Sequence, residues 1–238
     1  MIENMRKIII LTGLHTKRNL WNKKNILVLL MLFYFIGLFT VPLLQIAEDY
    51  HVGISPYILP VFCESYTSVV ALLLGFILLV SGIPDRDQHQ LNLILRSNYK
   101  IWTISQLIYT VVAAFVYLCC IHLISILEII VRMGFTGKWG SILEALADNY
   151  EMMEQYNMMF ATHSSAVLEN FTPLRAEFTI SVALFFVFLL LGLLILTLNV
   201  LSNGYLGTVA AVMFVFAGMT MQEFHAYFPD REIFKYNL

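Results

Sequence analysis

Five runs of apolar residues, each long enough to cross a hydrocarbon core, constrain this chain more than any other feature: Ile26 to Ile46, about Val61 to Ile83, Ile101 to about Val131, Phe178 to about Val200, and Tyr205 to about Met221. A helix rises about 1.5 Å per residue, so a core about 30 Å thick needs roughly 20 residues. No soluble domain of this size needs so many such runs. The residues are 59% hydrophobic and 13% charged, with a mean hydropathy of +0.77. Soluble domains sit near 45–50% and about 25%. The expected fold class is all-α, a polytopic helical membrane bundle with about five transmembrane helices. A basic lead-in, 1–25, precedes a single membrane domain, 26–238.

The lead-in carries Arg6, Lys7, Lys17, Arg18, Lys23 and Lys24 against Glu3, a composition expected to lie as an amphipathic helix on the inner membrane surface. The first run is too long for a signal-peptide core and lacks the small residues of a cleavage site, so it is expected to be retained. Glu128 and Arg132 stand at i,i+4 and are expected to pair where the third run leaves the lipid. Residues 133–177 form the larger external segment. There Ile142, Leu143, Leu146, Met153, Tyr156 and Phe160 recur at roughly helical spacing, as in one amphipathic helix. The turn signal Leu201-Ser202-Asn203-Gly204 makes the fourth and fifth runs antiparallel neighbours.

Charge sets the expected orientation. With the N-terminus in the cytoplasm, segments 1–25, 84–100 and 201–204 hold six, three and no Lys or Arg, nine of the chain's fourteen. This obeys the positive-inside rule and places the chain as a multi-pass protein of the cell membrane.

Ionisable residues at bilayer depth are few. His122 is the deepest and is read as a neutral imidazole bonded to a neighbouring helix, and Glu64 lies near the outer end of the second run. The chain has no His-Glu-x-x-His, no Gly-x-Ser-x-Gly, no phosphate loop and no paired acids within a helix, so it is expected not to be an enzyme and to hold no cofactor. Met152, Met153, Met158, Met159 and His163 are read as a flexible apolar face rather than a soft-metal site. Cys63, Cys119 and Cys120 are read as small apolar packing residues, with no disulfide framework or metal spacing.

Two features stand out. In the connection 84–100, a short helix along the inner surface would bury Leu91, Leu93, Ile94 and Leu95 and present Asp85, Arg86, Asp87, His89 and Arg96 to a soluble partner. In the fifth run, Gly204, Gly207, Ala210, Ala211, Ala217 and Gly218 give a small-residue pattern. Gly207 and Ala211, four apart, allow close helix approach in a tight bundle or an oligomer interface.

In this layout the chain resembles the permease subunits of bacterial ABC-2 type ABC exporters, whose ATPase is a separate polypeptide. The residues that carry the likeness are the basic lead-in and the connection Ser81-Gly82-Ile83-Pro84-Asp85-Arg86-Asp87, Leu91-Asn92-Leu93-Ile94-Leu95-Arg96-Ser97, Trp102, Gln106-Leu107. The resemblance implies a substrate pathway formed by two permease chains, and ATPase contact through Asp85, Arg86, Asp87, His89, Leu91, Leu95 and Arg96. Its partners would be the ATPase, a second permease chain and the lipid bilayer, with no nucleic acid. The chain departs from the family pattern at Gln90, where glycine is common, and in showing five spans where six are usual, the layout of a permease lacking its last helix. A non-transporting immunity or sensor protein that binds a ligand with 133–177 is the alternative. An intramembrane enzyme is a third class, disfavoured because no reactive groups converge.

Overall fold

The computed structural model describes residues 2–20, 22–84, 98–134, 137–158, 166–202 and 204–227. Its elements are α1 (Ile2–Leu20), α2 (Lys23–Asp49), α3 (Leu59–Phe62), α4 (Tyr66–Val80), α5 (Tyr99–Ile129), α6 (Ser141–Asp148), α7 (Tyr150–Gln155), α8 (Ala166–Asn170), α9 (Pro173–Ser202) and α10 (Leu206–Tyr227). A single 3-10 turn, Ile130–Arg132, follows α5.

Among the described residues, three helical segments are long and apolar enough to cross a membrane: Lys23–Asp49, Tyr99–Arg132 and Pro173–Ser202. The second and fifth expected runs fall short of that length. Residues 61–83 are not one helix, because the chain breaks at Cys63–Ser65 between α3, which has Pro60 in its first turn, and the 15-residue α4. A helix of that size is about 22 Å long, less than a hydrocarbon core. In the fifth run, Leu206–Met221 is likewise a shorter apolar helix.

The segment 133–177 also departs from the single helix expected of it. Asn149 takes an extended conformation and its side chain accepts the Met152 N–H, which starts α7 afresh. Asn157, at φ 50°, closes that helix after one further turn. Ile142, Leu143, Leu146, Met152, Met153 and Met158 are nonetheless buried, so the apolar face persists in pieces that cap the bundle. Phe160, Met159 and His163 lie outside the described residues.

The five bundle helices α2, α4, α5, α9 and α10 alternate in direction. Lys23, Val80, Tyr99, Ser202 and Leu206 therefore share one end, here the basic end, and Asp49, Tyr66 and Pro173 share the other. Helix α4 lies inside the group, touching α2, α5, α9 and α10. Phe76 of α4, Tyr117 of α5 and Phe188 of α9 form its aromatic centre, with ring centroids 4.9 to 5.6 Å apart. The Tyr117 hydroxyl donates to the Leu72 carbonyl at 3.0 Å, so this buried phenol has its partner.

The core is apolar, and so is much of the outer surface, unlike that of a water-soluble protein. Large side chains such as Leu30, Phe33, Phe115, Leu123, Phe186, Leu190 and Phe214 face outward. Asn25, Thr40, Ser105, Gln106, Thr110, Ser125 and Asn199 are buried between helices. A continuous exposed apolar surface of this kind is avoided in water and expected in lipid.

Two backbone approaches depend on glycine. Gly207 at the start of α10 lies against the Ile195 backbone of α9, where any Cβ would collide. At the opposite end Gly53 meets Gly134, and a Cβ on Gly53 would stand 2.9 Å from the Gly134 Cα. That crossing is fixed by an isolated β-bridge in which Ile54 N–H donates to the Arg132 carbonyl and Gly134 N–H to the Ile54 carbonyl, both at 2.8 Å. Gly207→Val is expected to cost roughly 1–3 kcal/mol by overpacking and to lower the thermal midpoint in detergent. Gly13→Ala, where a Cβ meets nothing within 4 Å, is the control and is expected to hold or raise it.

Candidate functional site

The seven expected ATPase-contact residues, Asp85, Arg86, Asp87, His89, Leu91, Leu95 and Arg96, lie outside the described residues. What is described is the base from which that connection springs, and it is a polar clamp. Asn199, near the end of α9 and 2% exposed, donates through Nδ2 to the Ile83 carbonyl at 2.7 Å. Its Oδ1 accepts the Gly207 N–H at 2.8 Å. Thr208 donates to the Ser81 carbonyl at 3.2 Å. One amide side chain thus ties the end of α4 to the turn between α9 and α10, satisfying backbone groups that the helix ends leave open.

The return of the connection is held as well. Asn98, at φ 75°, precedes α5 and accepts the Lys100 N–H at 3.4 Å, and Trp102 one turn on is buried. Helix α1 latches beside it: Thr12 donates to the Ser105 carbonyl at 3.4 Å, and Gln106 Nε2 lies 3.1 Å from His15 Nε2. Asn25 closes the α1–α2 bend by donating to the carbonyls of Asn19 and Leu20. Helix α1 therefore packs on the basic end of α5 through Leu11, His15 and Asn19, while Met5, Ile9, Ile10 and Leu14 remain exposed.

The small residues of the fifth run occupy different surroundings. Gly204 lies in the turn between α9 and α10, Gly207 abuts α9, and Ala211 is fully buried. Of the three cysteines, Cys119 is exposed on the outer surface of α5, not packed as the sequence reading has it. Its position there points the side chain away from the helix contacts.

A second polar group bridges helices towards the opposite end. His122 of α5 reaches α9 through both ring nitrogens, Nε2 to Ser181 Oγ at 2.9 Å and Nδ1 to Glu177 Oε1 at 3.0 Å. The Ser181 hydroxyl proton is committed to the Glu177 carbonyl at 2.6 Å, so His122 Nε2–H is the donor to Ser181. Nδ1 and the carboxylate then need one proton between them, and the pair is neutral as a unit. Glu128 and Arg132 do not pair. Thr40 of α2 donates to Glu128 at 2.5 Å, while Arg132 turns to Glu48 at 3.7 Å. The cause is the 3-10 turn at Ile130–Arg132, which breaks the i,i+4 register. Glu64 sits in the α3–α4 turn within reach of the Val167 backbone.

The cap formed by α6 and α7 is tied down at its edges. Tyr156 donates to Asp49 at 2.7 Å, a bond that pushes the phenol up to about 12 and keeps it a donor at neutral pH. Trp139 Nε1–H donates to the Phe171 carbonyl at 3.0 Å, and Ser55 to the Lys138 carbonyl at 3.2 Å.

Asn199 and Glu177 escape sequence reasoning, although Asn199 is the only amide side chain in the run 178–200. Its partners are backbone groups, which leave no mark in residue identity. Comparison with protein-family models, curated proteins and solved structures gives no match for this chain.

Two substitution sets test these arrangements. Asn199→Leu orphans the Ile83 carbonyl and the Gly207 N–H, with an expected loss of roughly 1–3 kcal/mol in unfolding measurements. In a double-mutant cycle, His122→Leu and Glu177→Leu are each expected to destabilise, and the double variant to recover part of the loss, since either single change strands the other member. Additive thermal shifts would remove the shared-proton pair.

Proposed function

We propose that this chain is a membrane-spanning permease subunit of an ATP-driven exporter of the ABC-2 type, with its N-terminus cytoplasmic and its connection 84–100 facing a separate ATPase. The observation that carries the reading is the clamp at Ser81, Ile83, Asn199, Gly207 and Thr208, which makes the base of that connection continuous with α4, α9 and α10. A push on a loop rooted in this way is transmitted as a tilt of whole helices, because packed helices move as rigid bodies. The lead-in also supports the reading, since α1 braces the basic end of α5, where the same connection returns.

The chain brings no hydrolytic machinery to this task. Its part is mechanical, and a second permease chain, identical or not, would complete the pathway. The apolar character of the helices favours an amphipathic peptide, a lipid-like compound or another apolar solute as cargo over a small ion or sugar. The folded cap formed by α6 and α7, with Trp139, Met152 and Met153 buried against the bundle, favours one second reading: a sensor or immunity protein that binds its ligand outside.

One experiment separates the two. Reversing charge together at Asp85, Arg86 and Asp87 is expected to abolish co-purification of the ATPase while the chain still inserts. Unchanged co-purification, or labelling of a cysteine placed at Gln88 by a membrane-impermeant maleimide in intact cells, would overturn the exporter reading. A loss of function confined to substitutions in 139–158 would support the sensor.

A further inference from the structure

The two bonds by which His122 of α5 holds α9 differ in kind. Nε2–H donates to Ser181 Oγ at 2.9 Å, because the Ser181 hydroxyl proton is already given to the Glu177 carbonyl. In the neutral ring Nδ1 therefore carries no proton, and it stands 3.0 Å from Glu177 Oε1. Two acceptors at that distance repel each other unless one proton lies between them. The second carboxylate oxygen, Oε2, is buried without a hydrogen-bond donor among the described residues, so the shared proton alone balances the charge of Glu177.

The neighbouring groups do not take over that task. Arg175, two residues before Glu177, lies over the Phe171 ring at 5.8 Å, and Arg132 turns to Glu48. On the elements around the pair the other titratable groups are Cys63 and Glu64 after α3, Tyr66 at the start of α4, Glu128 on α5 and Glu169 on α8. Cys63 lies within electrostatic reach of Glu177, Glu64 is directed to the Val167 backbone, Tyr66 to the Val215 carbonyl and Glu128 to Thr40 of α2, while Glu169 is exposed. Each of these is neutral or anionic, so none of them supplies a positive charge in place of the proton.

The pair is within reach of water. The His122 and Glu177 side chains are 30% and 19% exposed, and Glu177 lies about one helical turn from Pro173, where α9 begins. Deeper in the bundle α5 and α9 are joined by the rings of Tyr117 and Phe188, 5.1 Å apart, a contact that involves no proton. We propose that the His122–Glu177 pair is a single-proton site that acts as a latch between α5 and α9. With the proton bound, the first turns of α9 are held to α5. Loss of the proton to water at the Pro173 end leaves a bare carboxylate facing the Nδ1 lone pair, and the two helices part on that side of the Tyr117 and Phe188 rings. The latch is therefore closed at lower pH and opens as pH rises. Because the Phe171 carbonyl just before α9 accepts the Trp139 N–H, opening carries one edge of the cap with it. The proposal concerns this chain alone and does not depend on the exporter reading.

The test uses the full chain in lipid nanodiscs, with Cys63, Cys119 and Cys120 replaced by serine and spin labels attached through Ile126→Cys and Phe178→Cys, both at exposed positions. The distance between the labels, read by pulsed electron paramagnetic resonance, is expected to lengthen as pH is raised from about 5 to about 8. The ratio of open to closed molecules should rise by up to about tenfold per pH unit, the slope of one proton. Glu177→Gln, whose amide N–H donates to Nδ1 at every pH, is expected to stay closed throughout, and Glu128→Gln to keep the transition of its parent. The ring carbon signal of His122 in the unaltered chain, followed by nuclear magnetic resonance, is expected to titrate along the same curve and decides the matter if the glutamine variant fails to fold. A distance that does not change with pH, a transition that persists in Glu177→Gln, or a distance change that the His122 signal does not follow overturns the latch. Because no ATPase is present, none of these results bears on the coupling loop, so failure here and failure of the exporter reading remain distinguishable.

Discussion

An apolar exterior is the constraint on which the rest of this structure depends. With Phe33, Phe115, Phe186 and Phe214 facing outward, burial of apolar area cannot by itself hold one helix to another, because the surroundings are as apolar as the contact. Cohesion must come from close approach, from interlocking aromatic rings and from polar groups that have nowhere else to bond. The bundle uses all three. Gly207 lets α10 approach α9, the rings of Phe76, Tyr117 and Phe188 interlock at the centre, and buried polar side chains bond across helices at both ends.

Those polar contacts are not spread evenly. At the basic end they are mostly side chain to backbone: Asn199 to Ile83, Thr208 to Ser81, Asn25 to Asn19 and Leu20. Such bonds capture helix ends and make the loop bases rigid. At the other end side chain-to-side chain contacts join His122 to Glu177 and Ser181, Thr40 to Glu128, and Tyr156 to Asp49, beside the backbone bonds of Trp139 and Ser55. Ionisable groups gather there because the helix ends approach water, where the cost of charge falls. The result is a bundle whose loop bases are held at the basic end and which is polar where it meets the cap of α6 and α7.

Much of the fold was legible in the residues, and the candidate site much less so. The runs 26–46, 101–131 and 178–200 correspond to α2, α5 and α9, since unbroken apolar length is a local property and each helix closes its own backbone bonds. The turn at Ser202–Gly204 was equally local. Hydropathy misjudged residues 61–83, where the average hides the break at Cys63–Ser65. It also merged α6 and α7 into one helix, because Asn149 and Asn157 act through capping and a positive φ rather than through polarity.

Composition and order alone determined that the chain is helical, that its helices suit a hydrocarbon surrounding, and that its positive charge is concentrated at the start. These follow from the transfer cost of each side chain and backbone unit, summed along a short stretch. Tertiary structure decided which polar residues meet. Glu128 turned to Thr40 and Arg132 to Glu48 instead of to each other, and Asn199 bonded backbone groups of two other segments. It also decided that α2 and α4 leave a small groove floored by Leu32, Leu72 and Tyr117. Such pairings depend on how helices distant in sequence are rotated and spaced, and no local sum of residue energies contains that information.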